Sequence, residues 1–218
     1  VNTNDCPFEL SYTAAATIKE KYPKIDMLLV GYTSASAYPQ CFTLPPNEKI
    51  KEKELLQNNF LKRAEDYVNL FAPNYFMPFA GRYILAGKLA SLNSYRGVTE
   101  LDEAFDYFIN SKNIDNEKSK CIVLNPNSSF EMETGQSSEP YQKIDKIQKN
   151  EYIDTVLVKR KLDYEYEKEP EIDEIKSLIG KCYERFERKR KELRFSSETV
   201  ILVKLSNKEF FAITCNGN

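Results

Sequence analysis

The amino-acid sequence predicts a mixed α/β chain, α+β overall, and three stretches carry that expectation. A helix-patterned run leads into the nearly continuous apolar string "KIDMLLVGY" at 24–32, and a long amphipathic helix leads into a second such string, "NYFMPFA" at 74–80. The chain then closes on "ETVILVKLSNKEFFAITC", two alternating apolar runs about a polar turn. Helix followed by apolar strand, repeated, is the grammar of a sheet with crossover helices.

Taken in order, "PFELSYTAAATIKEKY" at 7–22 sets Leu10, Ala14, Ile18 and Tyr22 at helical spacing, with Pro23 as the stop. The unbroken apolar character of "KIDMLLVGY" predicts a strand buried on both faces. Asn47 is placed to cap the long helix, whose apolar face is Ile50, Leu56, Phe60, Ala64, Tyr67, Val68 and Phe71, ending before Pro73. "GRYILAGKLASLNSYRG" reads as a loop and short helix stopped by Gly97, and Thr99 with Asp102 as the capping box of a helix carrying Leu101, Ala104, Phe105 and Phe108 inward. In "KCIVLNPNSSFEMETG", Cys121 to Leu124 is a strand, "NPNSS" a turn and "FEMET" a short strand. Polar "SSEPYQKIDKIQKNE" follows, then helical material from Tyr152 to Leu162 and a strong helix from Pro170 to Leu193, in which Ile172, Ile175, Ile179, Cys182, Phe186 and Leu193 keep a 3/4 spacing. The hairpin turn falls at Ser206-Asn207-Lys208. Expected domains are 1–136, a linker at 137–150, and a helical and hairpin region at 151–218.

Composition excludes several function classes. With 31 basic against 33 acidic side chains and a net charge of -2, bulk charge gives no reason to expect nucleic acid or an anionic membrane as partner. The basic run "RFERKRKELR" is interleaved with glutamates near a helix end, which suits a solvated face that complements the helix dipole. Five scattered cysteines, with no CxxC pair, read as reduced thiols, and a cytoplasmic location is expected. There is no histidine, which removes Ser-His and Cys-His nucleophile pairs, imidazole bases and His-containing metal sites. The chain opens on Val1 in "VNTNDCPF", which reads as a strand end, so the sequence is expected to be the later part of a longer polypeptide.

Candidate site residues come from the strand ends. "GYTSASAYPQCF" at 31–42 is over-long for a turn, and long ordered loops usually serve a purpose. Tyr38 and Gln40 are substrate contacts in one reading, a phenol and an amide that both donate and accept; in the other, Tyr38, Pro39 and Phe42 fold back as packing. Arg82 and Arg96 each stand beside a tyrosine and a glycine, suiting a forked grip on phosphate or carboxylate with Gly81 and Gly97 allowing close approach, or else they are surface arginines near helix ends. Asp5 is a candidate N-cap for the helix from Pro7.

"LLVGYTSASAYPQCF", the long helix, and "NYFMPFAGRYILAGKLASLNSYRGVTELDEAFDYF" together resemble the later half of metallo-β-lactamase-fold proteins near CMP-N-acetylneuraminate hydroxylase and lactonase-like hydrolases. The similarity runs from Val1 to about Gly135. Members of that branch often sit among polysaccharide and O-antigen biosynthesis enzymes. The resemblance implies a partial αββα sandwich here, followed by the helix and hairpin. It further implies a metal-dependent hydrolase or hydroxylase acting on a sugar-like or nucleotide-sugar-like substrate. The family's His-x-His-x-Asp-His motif is absent from this sequence, and Ala80, Gly81 and Arg82 stand where related sandwiches often offer a last histidine. Asp5 in "NTNDC" is the one metal ligand carried across. Zinc or iron is expected in the intact protein and none on this chain alone, since one carboxylate cannot hold a catalytic metal. The partners expected are the sugar-like substrate and the missing half, or self-association through an uncovered apolar sheet face. The alternative is a non-enzymatic interaction module derived from that fold.

Overall fold

The computed structural model describes residues 1–206 and 209–216. The chain divides into two compact units, Val1–Leu162 and Asp163–Asn218. Mixed α/β character, expected from the sequence, is what the structure has. The first unit runs α1 (Phe8–Lys21), β1 (Met27–Gly31), α2 (Pro46–Phe71), β2 (Tyr75–Phe79), a 3-10 segment (Gly87–Tyr95), α3 (Leu101–Asn110), β3 (Lys120–Cys121), β4 (Phe130–Glu131), β5 (Gln136–Ser137) and α4 (Lys146–Thr155).

Strands β1, β2 and β3 pair in parallel in their order along the chain, with Leu28 beside Phe76 and Phe76 beside Cys121. Residues 1–3 add on the free side of β1: Leu29 donates to the Val1 carbonyl at 2.8 Å and accepts from the Thr3 amide at 3.0 Å. When neighbouring strands follow one another in sequence, right-handed crossovers put every connecting helix on the same face. The core has that form. Leu28, Val30 and Phe76 point at Ala15 of α1, Ala64, Val68 and Phe71 of α2, and Ala104 and Phe108 of α3. The rings of Phe76 and Phe108 meet edge-on at 5.5 Å. Full burial of each such side chain contributes about 1.5–3 kcal/mol.

The opposite sheet face corrects the expectation of a strand buried on both sides. Met27, Leu29, Tyr75 and Met77 are only half-buried. One-sided crossovers leave that face to the β4–β5 hairpin, whose Phe130 packs edge-on to Tyr75 at 4.9 Å.

Two caps also differ from expectation. α2 starts at Pro46, behind Pro45, with no side-chain cap, so Asn47 lies inside the first turn. Proline fits there because its missing N–H would have been an orphan. α3 is capped by Glu100 with Glu103, not by Thr99 with Asp102. Thr99 is buried and its amide donates to Thr33 Oγ1 at 3.0 Å, which shifts the helix start one residue on. α4 starts within the expected linker, because Asp145 accepts from the amides of Ile147 and Gln148. The segment between is tied to α3: the Tyr141 phenol donates to Asp102 at 2.7 Å and the Ile144 amide to the same carboxylate at 3.2 Å.

The second unit holds α5 (Ile172–Glu192) and an antiparallel hairpin of β6 (Val200–Lys204) and β7 (Phe210–Thr214). The expected turn at Ser206-Asn207-Lys208 lies in part outside the described residues, since Asn207 and Lys208 are not among them. On α5, Glu187 grips Arg190 through two bonds of 2.7 and 2.9 Å, and Lys189 pairs with Glu192. No helix among the described residues is long and apolar enough to cross a membrane.

Candidate functional site

Parallel strands present all their carboxyl ends along one edge, and three left-handed residues lie there. Asp5 (φ 59°), Ala80 (φ 65°) and Gly81 (φ 83°) take left-handed backbone directly after the first strand segment and β2. At Gly81 a Cβ would lie 2.7 Å from the Thr33 carbonyl, so the loops after β1 and β2 touch backbone to backbone. Such conformations cost energy and gather where the surroundings enforce them.

Two hollows flank this contact. The first, about 300 Å³, is lined by Asp5, Cys6, Gly31, Thr33, Arg63 and Gly81, among others. Asp5 is exposed there and accepts from Asn4 Nδ2 at 3.0 Å. It does not cap α1, whose N-cap is Pro7 with no side-chain bond; the left-handed turn at Asp5 keeps its carboxylate with Asn4. Arg63 lies over the Phe60 ring at 4.9 Å and its Nε has no partner. The second hollow, about 350 Å³, is lined by Tyr32, Phe79, Gly81, Arg82, Leu101 and Val123, among others. Burial pushes the Tyr32 phenol well above its ordinary value, so it stays protonated.

Arg82 and Arg96 meet at one carboxylate. Glu100 pairs with Arg82 at 3.4 Å, with Arg96 at 3.7 Å and with Lys149 of α4. Arg96 is buried, not the surface arginine of the alternative reading, and its guanidinium also donates to the Tyr83 and Asn93 carbonyls. Burial lowers its pKa and Glu100 works against that shift.

Gln40 is buried, and its Nε2 donates to the Ser36 carbonyl and to the Tyr83 phenol, each at 2.7 Å. Its Oε1 has no partner. Tyr38 stands apart from both hollows' linings, edge-on to Phe42 at 5.0 Å, with Glu52 raising its phenol pKa through a hydrogen bond. The structure thus brings Asp5 and Gly81 together at one hollow and Gly81 and Arg82 at the other, with Arg96 behind Arg82.

The loops of this edge are held by the front of α2. Lys49, Lys53 and Gln57, four residues apart on one face, donate to the carbonyls of Gln40 (2.9 Å), Ser94 (3.0 Å) and Val98 (2.8 Å). Tyr67 of the same helix donates to the Cys6 carbonyl at 3.1 Å.

Sequence reasoning missed Tyr32, Arg63 and Glu100. Arg63 carried a signal: it interrupts an apolar stripe between Phe60 and Tyr67, where a cation has a reason to be. Tyr32 and Glu100 carried none, since only the register of the sheet brings them to the edge.

Among the described residues no group of three or more His, Cys, Asp and Glu stands ready to hold a metal ion. Zinc or iron takes at least three protein ligands, and Asp5 is the only carboxylate lining the first hollow. The residues present do not fit a metal by themselves. Fold and edge together define a parallel α/β unit with a hollowed carboxyl edge, the place where open α/β sheets take ligands. Comparison with known families, curated proteins and solved structures gave no match for the chain.

Proposed function

We propose that the first unit forms the substrate-facing edge of a metal-dependent hydrolase or hydroxylase of the metallo-β-lactamase kind. Its substrate is sugar-like or nucleotide-sugar-like, and the metal's nitrogen ligands come from polypeptide other than these 218 residues. The observation that carries the reading is where the unpaired polar atoms lie. Among the described residues four buried side-chain atoms lack a partner, Tyr32 Oη, Gln40 Oε1, Arg63 Nε and Thr99 Oγ1. Arg63 of α2 lines the first hollow and Tyr32 the second, while Gln40 and Thr99 stand in the loops after β1 and before α3. Buried polar groups are nearly always bonded, and an orphan costs about 1–3 kcal/mol, so the Arg63 Nε left open at the first hollow supports a polar ligand there. The helices on one side of the sheet support half an αββα sandwich, whose second sheet would lie on the half-buried face beside the β4–β5 hairpin that covers Tyr75.

The test is an NMR titration of the whole chain with N-acetylneuraminate and its CMP conjugate. Saturable shifts at Asp5, Gly31 and Gly81 are expected, and their absence with both ligands sinks the substrate reading. Elemental analysis is the second arm: stoichiometric zinc or iron held tightly by this chain alone overturns the incomplete site.

A second reading, an interaction module, is favoured by one observation. In the second unit Val200, Ile201, Leu202, Val203 and Phe210 are exposed, and an apolar groove of about 320 Å³ runs between α5 and the hairpin, lined by Ile175, Ile179, Phe186, Val203, Phe211 and Ile213, among others. Exposed apolar surface of this kind marks contact sites. Self-association is the expected result, and sedimentation showing a monomer at high concentration counts against it.

A further inference from the structure

The second hollow has a chemistry of its own. Its walls are largely apolar, with Met77, Pro78, Phe79, Leu101, Val123 and Leu124, and two side chains bring polarity to it, Tyr32 and Arg82. Tyr32 is 1% exposed, and its hydroxyl finds no acceptor. A protonated phenol is a donor in search of an oxygen. Arg82 carries five N–H donors in a fork, and the structure spends one nitrogen on Glu100 at 3.4 Å. Glu100 does not depend on that contact, because Arg96 and Lys149 hold the same carboxylate.

We propose that this hollow binds a small organic monocarboxylate, its two oxygens taking the Arg82 fork and the Tyr32 hydroxyl while its hydrocarbon part packs between Phe79, Leu101 and Val123. Size and charge favour that class. A volume of about 350 Å³ is at the small end of ligand sites. A phosphate dianion would meet one arginine with Glu100 close at hand, too little positive charge for two negative ones. A neutral sugar would leave the apolar wall facing hydroxyl groups. The proposal stands apart from the metal reading, since it involves neither Asp5 nor a metal.

The experiment uses the whole chain with labelled tyrosine rings and leucine and valine methyl groups, titrated with isovalerate, its neutral isostere isovaleramide, and inorganic phosphate. Isovalerate should shift Tyr32, Leu101 and Val123 saturably, with isovaleramide and phosphate at least tenfold weaker, about the worth of one charge-assisted bond. Tyr32→Phe should weaken isovalerate by about tenfold while leaving the melting temperature unchanged or raised, because the lost hydroxyl had no partner. Arg82→Gln should abolish binding, and Asp5→Asn should leave it intact, which separates this site from the substrate edge. Absence of a saturable shift at those residues, equal binding of the amide or of phosphate, or wild-type affinity in Tyr32→Phe would each overturn it.

Discussion

In Val1–Leu162 three helices and a parallel sheet share one cluster of apolar residues almost without exposure, whereas in Asp163–Asn218 a helix and a two-stranded hairpin leave Cys215 as the only buried apolar residue among those described. Both regions carry strong periodicity in sequence. The difference lies in how many partners each element finds. β1 has a neighbour on either side and helices over one face, while β6 has β7 alone, and every residue from Val200 to Lys204 is exposed. A segment of about 60 residues cannot enclose much core, and a lone hairpin is marginal in water. Apolar pattern therefore reports an element's wish to be covered, and topology decides whether it is.

The largest expected effect tests that contrast directly. Phe76→Ala should cost about 3–5 kcal/mol in urea unfolding of the first unit, because the ring is fully buried against Phe108. Ile201→Ala should cost less than about 1 kcal/mol, since its side chain already meets water. Comparable losses from the two substitutions would mean that the hairpin has a core after all. Next in size, Gly81→Ala should destabilise the first unit by about 2 kcal/mol, from the left-handed backbone and the close Thr33 carbonyl. A thermal melt of the variant matching wild type would break the claim that the carboxyl edge is under constraint.

The smallest effect is a pH dependence. Burial, with the bond to Asp102, pushes the Tyr141 phenol up to about 12, whereas an unfolded tyrosine titrates near ~10. Between those values the unfolded chain releases a proton that the folded one keeps, so stability is whole below the lower value and falls as pH rises through the upper. Tyr141→Phe should flatten that decline in alkaline unfolding curves, and an unchanged slope would remove Tyr141 from the account.

The helices of the first unit were legible, and the inward faces of α3 and of the back of α2 with them, because the spacing of Ala64, Val68 and Phe71, or of Ala104 and Phe108, is fixed by helix geometry alone. The face of α1 was not, since Leu10, Ala14 and Ile18 meet water and Ala15 is the buried residue. Nor were the helix starts: at α3 the distant contact of Thr99 with Thr33 passes the cap to Glu100, and α2 begins at Pro46 with no side-chain cap, leaving Asn47 inside the first turn. Arginines, glycines and an aspartate at strand ends were visible as candidates. Their grouping was not: the meeting of Gly81 with Thr33, or of Tyr32 with Arg82, depends on parallel register, which no local pattern encodes. Gln40 illustrates the other limit, an amide chosen for its capacity to bond a ligand and found bonding Tyr83 and Ser36 with one end.

The buried residues of α2 begin at Leu61, and none lies in the turns before it. Those front turns are short enough that an isolated helix of their length would unwind in water. They stay wound because Lys49, Lys53 and Gln57 are moored to the loops, and the loops hold their places for the same reason. Each is the other's splint. Were a molecule to settle on the carboxyl edge and steady those loops, the expected sign is slower amide exchange as far forward as Lys49, in a stretch of helix that the molecule itself would not touch.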